Sequence, residues 1–533
     1  MRAPGHGALD PRTPVLAGVG QASERLGEPG YRCRSPVDLA ADAARLALAD
    51  SGTAPALVAA AVDTVAGVRQ FEISHPAAPA PLGRSDNFPR SVAARIGAAP
   101  ARAILEVTGG QAPQHLVSEL AGAIAAGRCE TALVFGAEAI STAQHYAQAG
   151  DRPDFSEHAE GSLEDRGYGL DGLLGGYQPE HGLTSAASQY ALIENARRAR
   201  LKLSRAEYAA AMGALFAPFT RVAAGNPHAA APVVRGAAEL VTPGEANRPI
   251  ADPYTRYIVA REKVNQGAAV LLASAGAARR LGIPPDRWVF LHGHADLRER
   301  GLLERADLSA SPAAVLAARH ALAIAGIGPD DLAALDLYSC FPAPVFNICD
   351  GLGLRPDDPR GLTVTGGLPF FGGAGNNYSL HAIAETVQRA RACPGGFGLV
   401  GANGGIMDKY SVGIYSAVPA PWRPGASAAL QAEVDDWPAV APAPAADGWA
   451  RIETYTVRHA RDGTRAGIVV GRLTADARRF AARSDDRDPD MLALLSSAEQ
   501  PVGERVYVRS SGSGNRVTTA AQMTRLIPPR PVT

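Results

Sequence analysis

At 533 residues the chain is too long for one ordinary domain, and two or three are expected. Its 46% hydrophobic and 20% charged content excludes a disordered chain, and no apolar run reaches the roughly 18 residues of a membrane-spanning helix. A net charge of −1 excludes an overall bias toward nucleic acid or anionic membranes.

The charge is uneven, since residues 448–533 carry fourteen Arg against nine acids. A solvated basic surface explains that excess without a nucleic-acid partner. The five cysteines (Cys33, Cys129, Cys340, Cys349, Cys393) lack C-x-x-C spacing. That spacing argues against a disulfide framework or metal site and for a reducing, cytoplasmic setting. The opening residues MRAPGHGALDPRTP lack the apolar core of a secretion signal.

In chain order, Thr13–Gly20 reads as a short strand. Ser35-Pro36 opens a helix with a cap and a proline at its first position, and Leu39, Ala43, Leu46 and Ala47 form its apolar stripe. Val62–Val68 is a second strand and Ser91–Ile96 a short helix. The stretch from Ile104 to Ser141 then reads as strand, Gly turn, helix, strand. Its turn is Thr108-Gly109-Gly110-Gln111, and Leu116, Leu120, Ala123 and Ile124 share one face of the helix. Such a turn is where an α/β enzyme holds a nucleophile at a helix N-terminus. The G-x-G at Gly18–Gly20 has no third glycine in phase, so no dinucleotide fingerprint is read there.

From Ala149 to about Pro249, clustered Gly, Asp and Pro precede two helical patterns, SAASQYALIENARRARL and SRAEYAAAMGALFAPF. This reads as an inserted loop domain lying over the core, where substrates are selected. NQGAAVLLAS (Asn265–Ser274) resumes a buried strand. The second half repeats the first: ARLALADSG at 44–52 matches ARHALAIAG at 318–326, and a strand is expected after each, the second at Leu335–Cys340. A helix at Asn377–Arg391 and strands at Gly396–Val400 and Val412–Tyr415 complete a duplicated α/β core. Residues 417–447, rich in Pro and Ala, read as a semi-rigid linker. Alternating strands around the Asp462-Gly463 turn, a strand at Val502–Arg509 and a loose loop at Ser510–Gly514 then predict a small five-stranded barrel.

The duplicated halves, NQGAAVLLAS, LDLYSCF, TGGLPFFGGAGNNYSLHA and VGANGGIMDKYSVGIY together resemble the thiolase superfamily over about 13–416. TGGQAPQ, GGAGNNYS and ANGG with a β domain behind them are similar to thiolase-like proteins carrying an extra C-terminal domain, often labelled acetyl-CoA acetyltransferases. The resemblance implies an α/β fold: a duplicated five-layered thiolase fold with an inserted loop domain, plus a small OB-like β-barrel. The expected units are 13–148, 149–250 and 251–416, the linker 417–447, and 448–520 for the barrel. The implied function is acyl-CoA or CoA binding in acyltransferase-like lipid metabolism. No other cofactor, no metal, and either a monomer or a homodimer are expected.

Family residues carried over one by one leave the catalytic set vacant. The nucleophilic Cys falls at Gly110, the His at Gly373 and the second Cys near Ala402. Without a thiolate no acyl-enzyme forms by the usual route. Standard thiolase activity is therefore not expected. The other reading is a non-catalytic scaffold or sensor whose basic barrel docks a partner.

The remaining catalytic candidates are Tyr338, Cys340 and His381, with buried thiol and core histidine as the structural readings of the last two. Thr108, Gly110, Gln111, Asn376, Asn377, Asn403 and Gly404 are the candidate substrate-binding residues. Asn403 and the glycines after it would offer N–H groups to an oxyanion. His292-Gly293-His294 has no third ligand in sight.

Overall fold

The computed structural model describes residues 9–170, 177–496 and 500–523. Two sheets form the core. In the first, the strands run in the order Pro14–Ser23, Asn265–Ser274, Thr131–Ala139, Thr64–Gly67, Arg102–Leu105 and Glu164–Asp165. In the second the order is Leu332–Asp336, Phe397–Gly404, Lys409–Ser416, Phe290–Arg298.

The helices Ala112–Ala125 and Tyr378–Ala392 touch each other and lie between the sheets. Pro36–Asp50 covers the outside of the first sheet and Pro312–Ala325 that of the second. The result is the expected five layers, helix, sheet, helix, sheet, helix. The outer helix Pro36–Asp50 starts as its sequence predicts, with Pro36 at the first position and a Ser35/Asp38 capping box. Gly18 and Gly20 face it, and a Cβ on either would fall on the carbonyl of Ala47 or Ala43. Close helix packing therefore accounts for that G-x-G.

The middle helix Ala112–Ala125 buries Val117 and Ala121 as fully as Leu116 and Leu120, because a sheet lies on either side of it. The strand expected over Leu335–Cys340 ends at Asp336, so Tyr338, Ser339 and Cys340 lie in the loop leading to the helix Pro342–Leu352.

In the inserted region the two predicted helices form at Ala186–Leu201 and Arg205–Gly225, capped by Ser185 and Ser204. The segment ahead of them behaves differently from expectation. Glu164–Asp165 adds a parallel edge strand to Ile104 and Leu105 rather than lying over the core. Arg166 fixes it with 2.6 Å bonds to Glu106 and Glu119, Arg102 bonds Glu164 at 2.7 Å, and Arg69 bonds Asp165.

Residues 417–447 are not a spacer. Trp422 stacks on His294 at 4.8 Å, His292 Nε2 bonds the Val418 carbonyl at 2.9 Å, and the helix Ser427–Asp435 packs on Phe290–Arg298. The two histidines of His292-Gly293-His294 are thus spoken for separately. The C-terminal domain is a closed five-stranded barrel in which Asp447–His459 pairs both Arg465–Leu473 and Arg505–Ser511. Arg479–Ser484 and Gly514–Thr519 complete it. Ser511 and Gly514 bracket a tight hairpin, so the loose loop expected at 510–514 is a turn between paired strands.

The barrel is bolted to the inserted domain. Thr454 Oγ1 donates to the Leu192 carbonyl (2.5 Å), and Arg198 Nη2 to the Tyr455 hydroxyl (2.8 Å). The fully buried Arg479 bonds Glu453 and the Leu303 carbonyl. No described helix is long and apolar enough to cross a membrane. All five cysteines are free thiols.

Candidate active site

The two Gly-rich turns, the Tyr338 loop and the strand end at Asn403 enclose a cavity of about 420 Å³. Its roof is Ser185–Ala187 and Tyr190 from the inserted domain, with Val259, Ala260 and Glu262 at the rim. Ser185 and Phe341 of its wall are the residues from which the helices Ala186–Leu201 and Pro342–Leu352 begin.

Gly110 carries the decisive local fact. A Cβ at this position would fall on the Tyr338 hydroxyl and come within 2.5 Å of the Asn403 carbonyl. The tyrosine thus occupies the space that a nucleophilic side chain would need. Its ring packs edge-on against Tyr378 at 5.4 Å, and Tyr378 donates to the buried Asp336 at 2.9 Å. Asp336 also gathers Thr363, Thr365 and the Val364 N–H, which fixes the loop. Among the described residues no protein group bonds the Tyr338 hydroxyl. Burial first, then neighbouring Cys340, push its pKa well up, so it stays a hydrogen-bond donor.

Cys340 lines the same cavity. Burial pushes its thiol up to about 12, far from a thiolate at neutral pH. Asn403 Nδ2 donates to the Tyr190 hydroxyl at 2.7 Å and approaches the Cys340 sulfur at 3.8 Å. Tyr190 in turn donates to the Gly405 carbonyl at 3.1 Å.

Other candidates separate from this group. His381 is fully buried one turn into its helix, bonds Gln21 Oε1 through Nδ1 at 2.7 Å, and does not line the cavity. Burial, then His228, lower its pKa well below the usual value, so it is neutral. Ala402 is buried in its strand, whereas Asn403 beside it faces the cavity. Gly373 lines the wall with no side chain to offer.

Asn376 ties the turns together: it accepts from Gly109 N–H (3.0 Å) and donates to the Arg69 carbonyl (2.7 Å). Asn377 donates to the Gly136 carbonyl at 2.7 Å. Thr108 donates to the Ser74 carbonyl at 3.2 Å and lines the cavity. Gln111 and Gly404 meet just behind it. One His/carboxylate grouping with metal-like spacing occurs among the described residues, Glu106, His115 and Glu119. The Arg166 guanidinium already sits on its two carboxylates.

The whole chain is similar to a monomeric SCP2-thiolase-like protein type 1 from Mycobacterium smegmatis: 52% identity, 96% of this chain and 100% of that one, TM-score 0.83. This chain belongs to the SCP2-thiolase-like protein type 1 family. Residues 429–513 match the family model of the thiolase-like protein type 1 additional C-terminal domain. The fold is shared at lower similarity with the Ltp2-ChsH2(DUF35) aldolase (20% identity, 76% and 98% of the chains, TM-score 0.55). It is shared too with the dimeric peroxisomal thiolase of Saccharomyces cerevisiae (14%, 76% and 98%, 0.54). The curated proteins contain no match.

Within this family frame the sequence reading missed Tyr190 and a group of carboxyls at the rim. Glu138 is buried, accepts from Phe71 N–H at 2.9 Å, and is raised well above the usual carboxyl range by burial, then by Glu72 and Glu262. Glu72 is itself raised to about 7 by burial. The only signal was a glutamate at position 138 of an otherwise apolar strand.

Proposed function

We propose that the cavity binds acyl-CoA thioesters and polarises the acyl carbonyl through Tyr338, without forming an acyl-enzyme and without standard thiolase turnover. The observation that carries this reading is the Tyr338 hydroxyl standing in the space beside Gly110. A protonated phenol suits an oxygen acquiring negative charge. A thiol raised to about 12 does not suit nucleophilic attack. Any turnover would pass the acyl group directly to an acceptor.

The barrel supports the roof rather than standing apart as a docking module. Asn515 N–H donates to His181 Nε2 at 2.8 Å, just ahead of the cavity-lining Ser185. With a short, acidic strand, Glu164–Asp165, at the first sheet's edge, a monomer is the reading for the assembly.

The test is a calorimetric titration of the full chain with acetyl-CoA, paired with intact-protein mass spectrometry. Saturable binding with no added acyl mass is expected. No binding at millimolar ligand, or an acyl adduct on the chain, would refute the proposal.

A further inference from the structure

Behind the first Gly turn lies a second chamber of about 360 Å³, lined by Val107, Leu297 and Ala428 among others. The turn residues face the two chambers in succession: Val107 and Gln111 line this one, Thr108 to Gly110 the first. The Gln111 side chain stands between them, against the Gly109 and Gly404 backbones that line the first. It is 7% exposed, and its Oε1 is buried with no hydrogen-bond partner. No hydrogen bond to the rest of its carboxamide is found among the described residues either. Its place is kept by two glycines, since a Cβ on Gly109 or on Gly404 would fall on Oε1. Gly109 also has φ of +144°, which L side chains rarely adopt.

A buried, unbonded carboxamide is costly, and a ligand that displaces or satisfies it recovers that cost. Turning Gln111 aside breaks no hydrogen bond found among the described residues. Asp296, His115 and Lys409 of the second chamber already have partners, whereas the exposed Arg298 makes no ion pair among the described residues. Asp296 accepts from Ser411 at 2.5 Å and pairs with His115 at 3.2 Å, and Lys409 donates to the Thr108 carbonyl at 3.1 Å. Val107, Leu297 and Ala428 give the chamber an apolar wall.

The geometry points to a two-chamber acyl site in which Gln111 sets acyl length. The thioester carbonyl lies in the first chamber and the acyl tail passes Gln111 into the second. The ligand class is a medium-chain acyl-CoA rather than acetyl-CoA. This rests on the acyl-CoA reading above.

The experiment is titration of the full chain with acetyl-, butyryl-, hexanoyl- and octanoyl-CoA. Affinity should rise about tenfold for each two methylenes buried. Gln111→Ala should tighten octanoyl-CoA about tenfold relative to acetyl-CoA. Ala428→Trp, on an exposed helix position, fills the chamber and should abolish the octanoyl advantage. Acetyl-CoA binding with no dependence on chain length, or a dependence that both variants leave unchanged, would overturn the two-chamber site alone. Failure of every thioester to bind would overturn the acyl-CoA reading, and this site with it.

Discussion

Gly110 and Tyr338 are 228 positions apart in sequence, yet they define one another in space. The missing nucleophile was legible in the chain, because a Gly turn feeding a helix marks the position. The tyrosine that fills the space was not, since only the stacking of two sheets brings its loop there. His381 shows the converse. It shares a helix face with Asn377, as the spacing requires, but its helix is buried between sheets and that face points to Gln21. Two outcomes follow at this scale. In the native protein Cys340 should react with iodoacetamide at least about a hundredfold more slowly than the exposed Cys393, read by peptide mass spectrometry, because burial keeps it a thiol. Glu72 has a folded pKa of about 7, above the ordinary value, so the folded state holds its proton more tightly. Its contribution to stability is present below about pH 4.5 and is lost as pH rises through 7. Glu72→Gln should flatten that decline in denaturant titrations at pH 5 and pH 7.5, and an unchanged pH dependence would contradict it.

Among the elements, helices opened by a Ser cap were legible at their starts: Ala186–Leu201 matches its expected span, and Arg205–Gly225 begins as expected but runs six residues past it. The misread ones share a physical cause. Glu164–Asp165 is a two-residue polar edge strand with no apolar alternation, held by ion pairs to residues far off in sequence. In 417–447 the Pro and Ala content hid Trp422, Leu430 and Trp437, which pack on the core. Arg166 is the element-scale test. Removing it leaves Glu106, with 4% side-chain exposure, without its cation. Arg166→Ala should cost roughly 3 kcal/mol in chemical denaturation. It should also raise hydrogen exchange at Arg102–Leu105, whereas a loss within about 0.5 kcal/mol would show that the edge strand is held otherwise.

Over the whole molecule, the five layers follow from the internal repeat, because each half must bury a sheet and the two middle helices can be covered only by each other's half. The barrel was legible from its hairpin turn and alternating strands. Its fixed seat was not, since Arg198 and Thr454 join it to the inserted domain and Arg479 joins it to the Leu303 carbonyl, all ordinary polar residues in sequence. Together these parts hold a roof over the cavity in which the Tyr338 hydroxyl stands beside Gly110. The most direct test is a crystal structure of the full chain with a bound thioester, acetyl-CoA or its thioether analogue. The account predicts an intact ligand with its carbonyl oxygen, or the equivalent atom, within about 3 Å of the Tyr338 hydroxyl. An acyl group bonded to Cys340, or CoA seated outside the cavity beside Gly110, would contradict it.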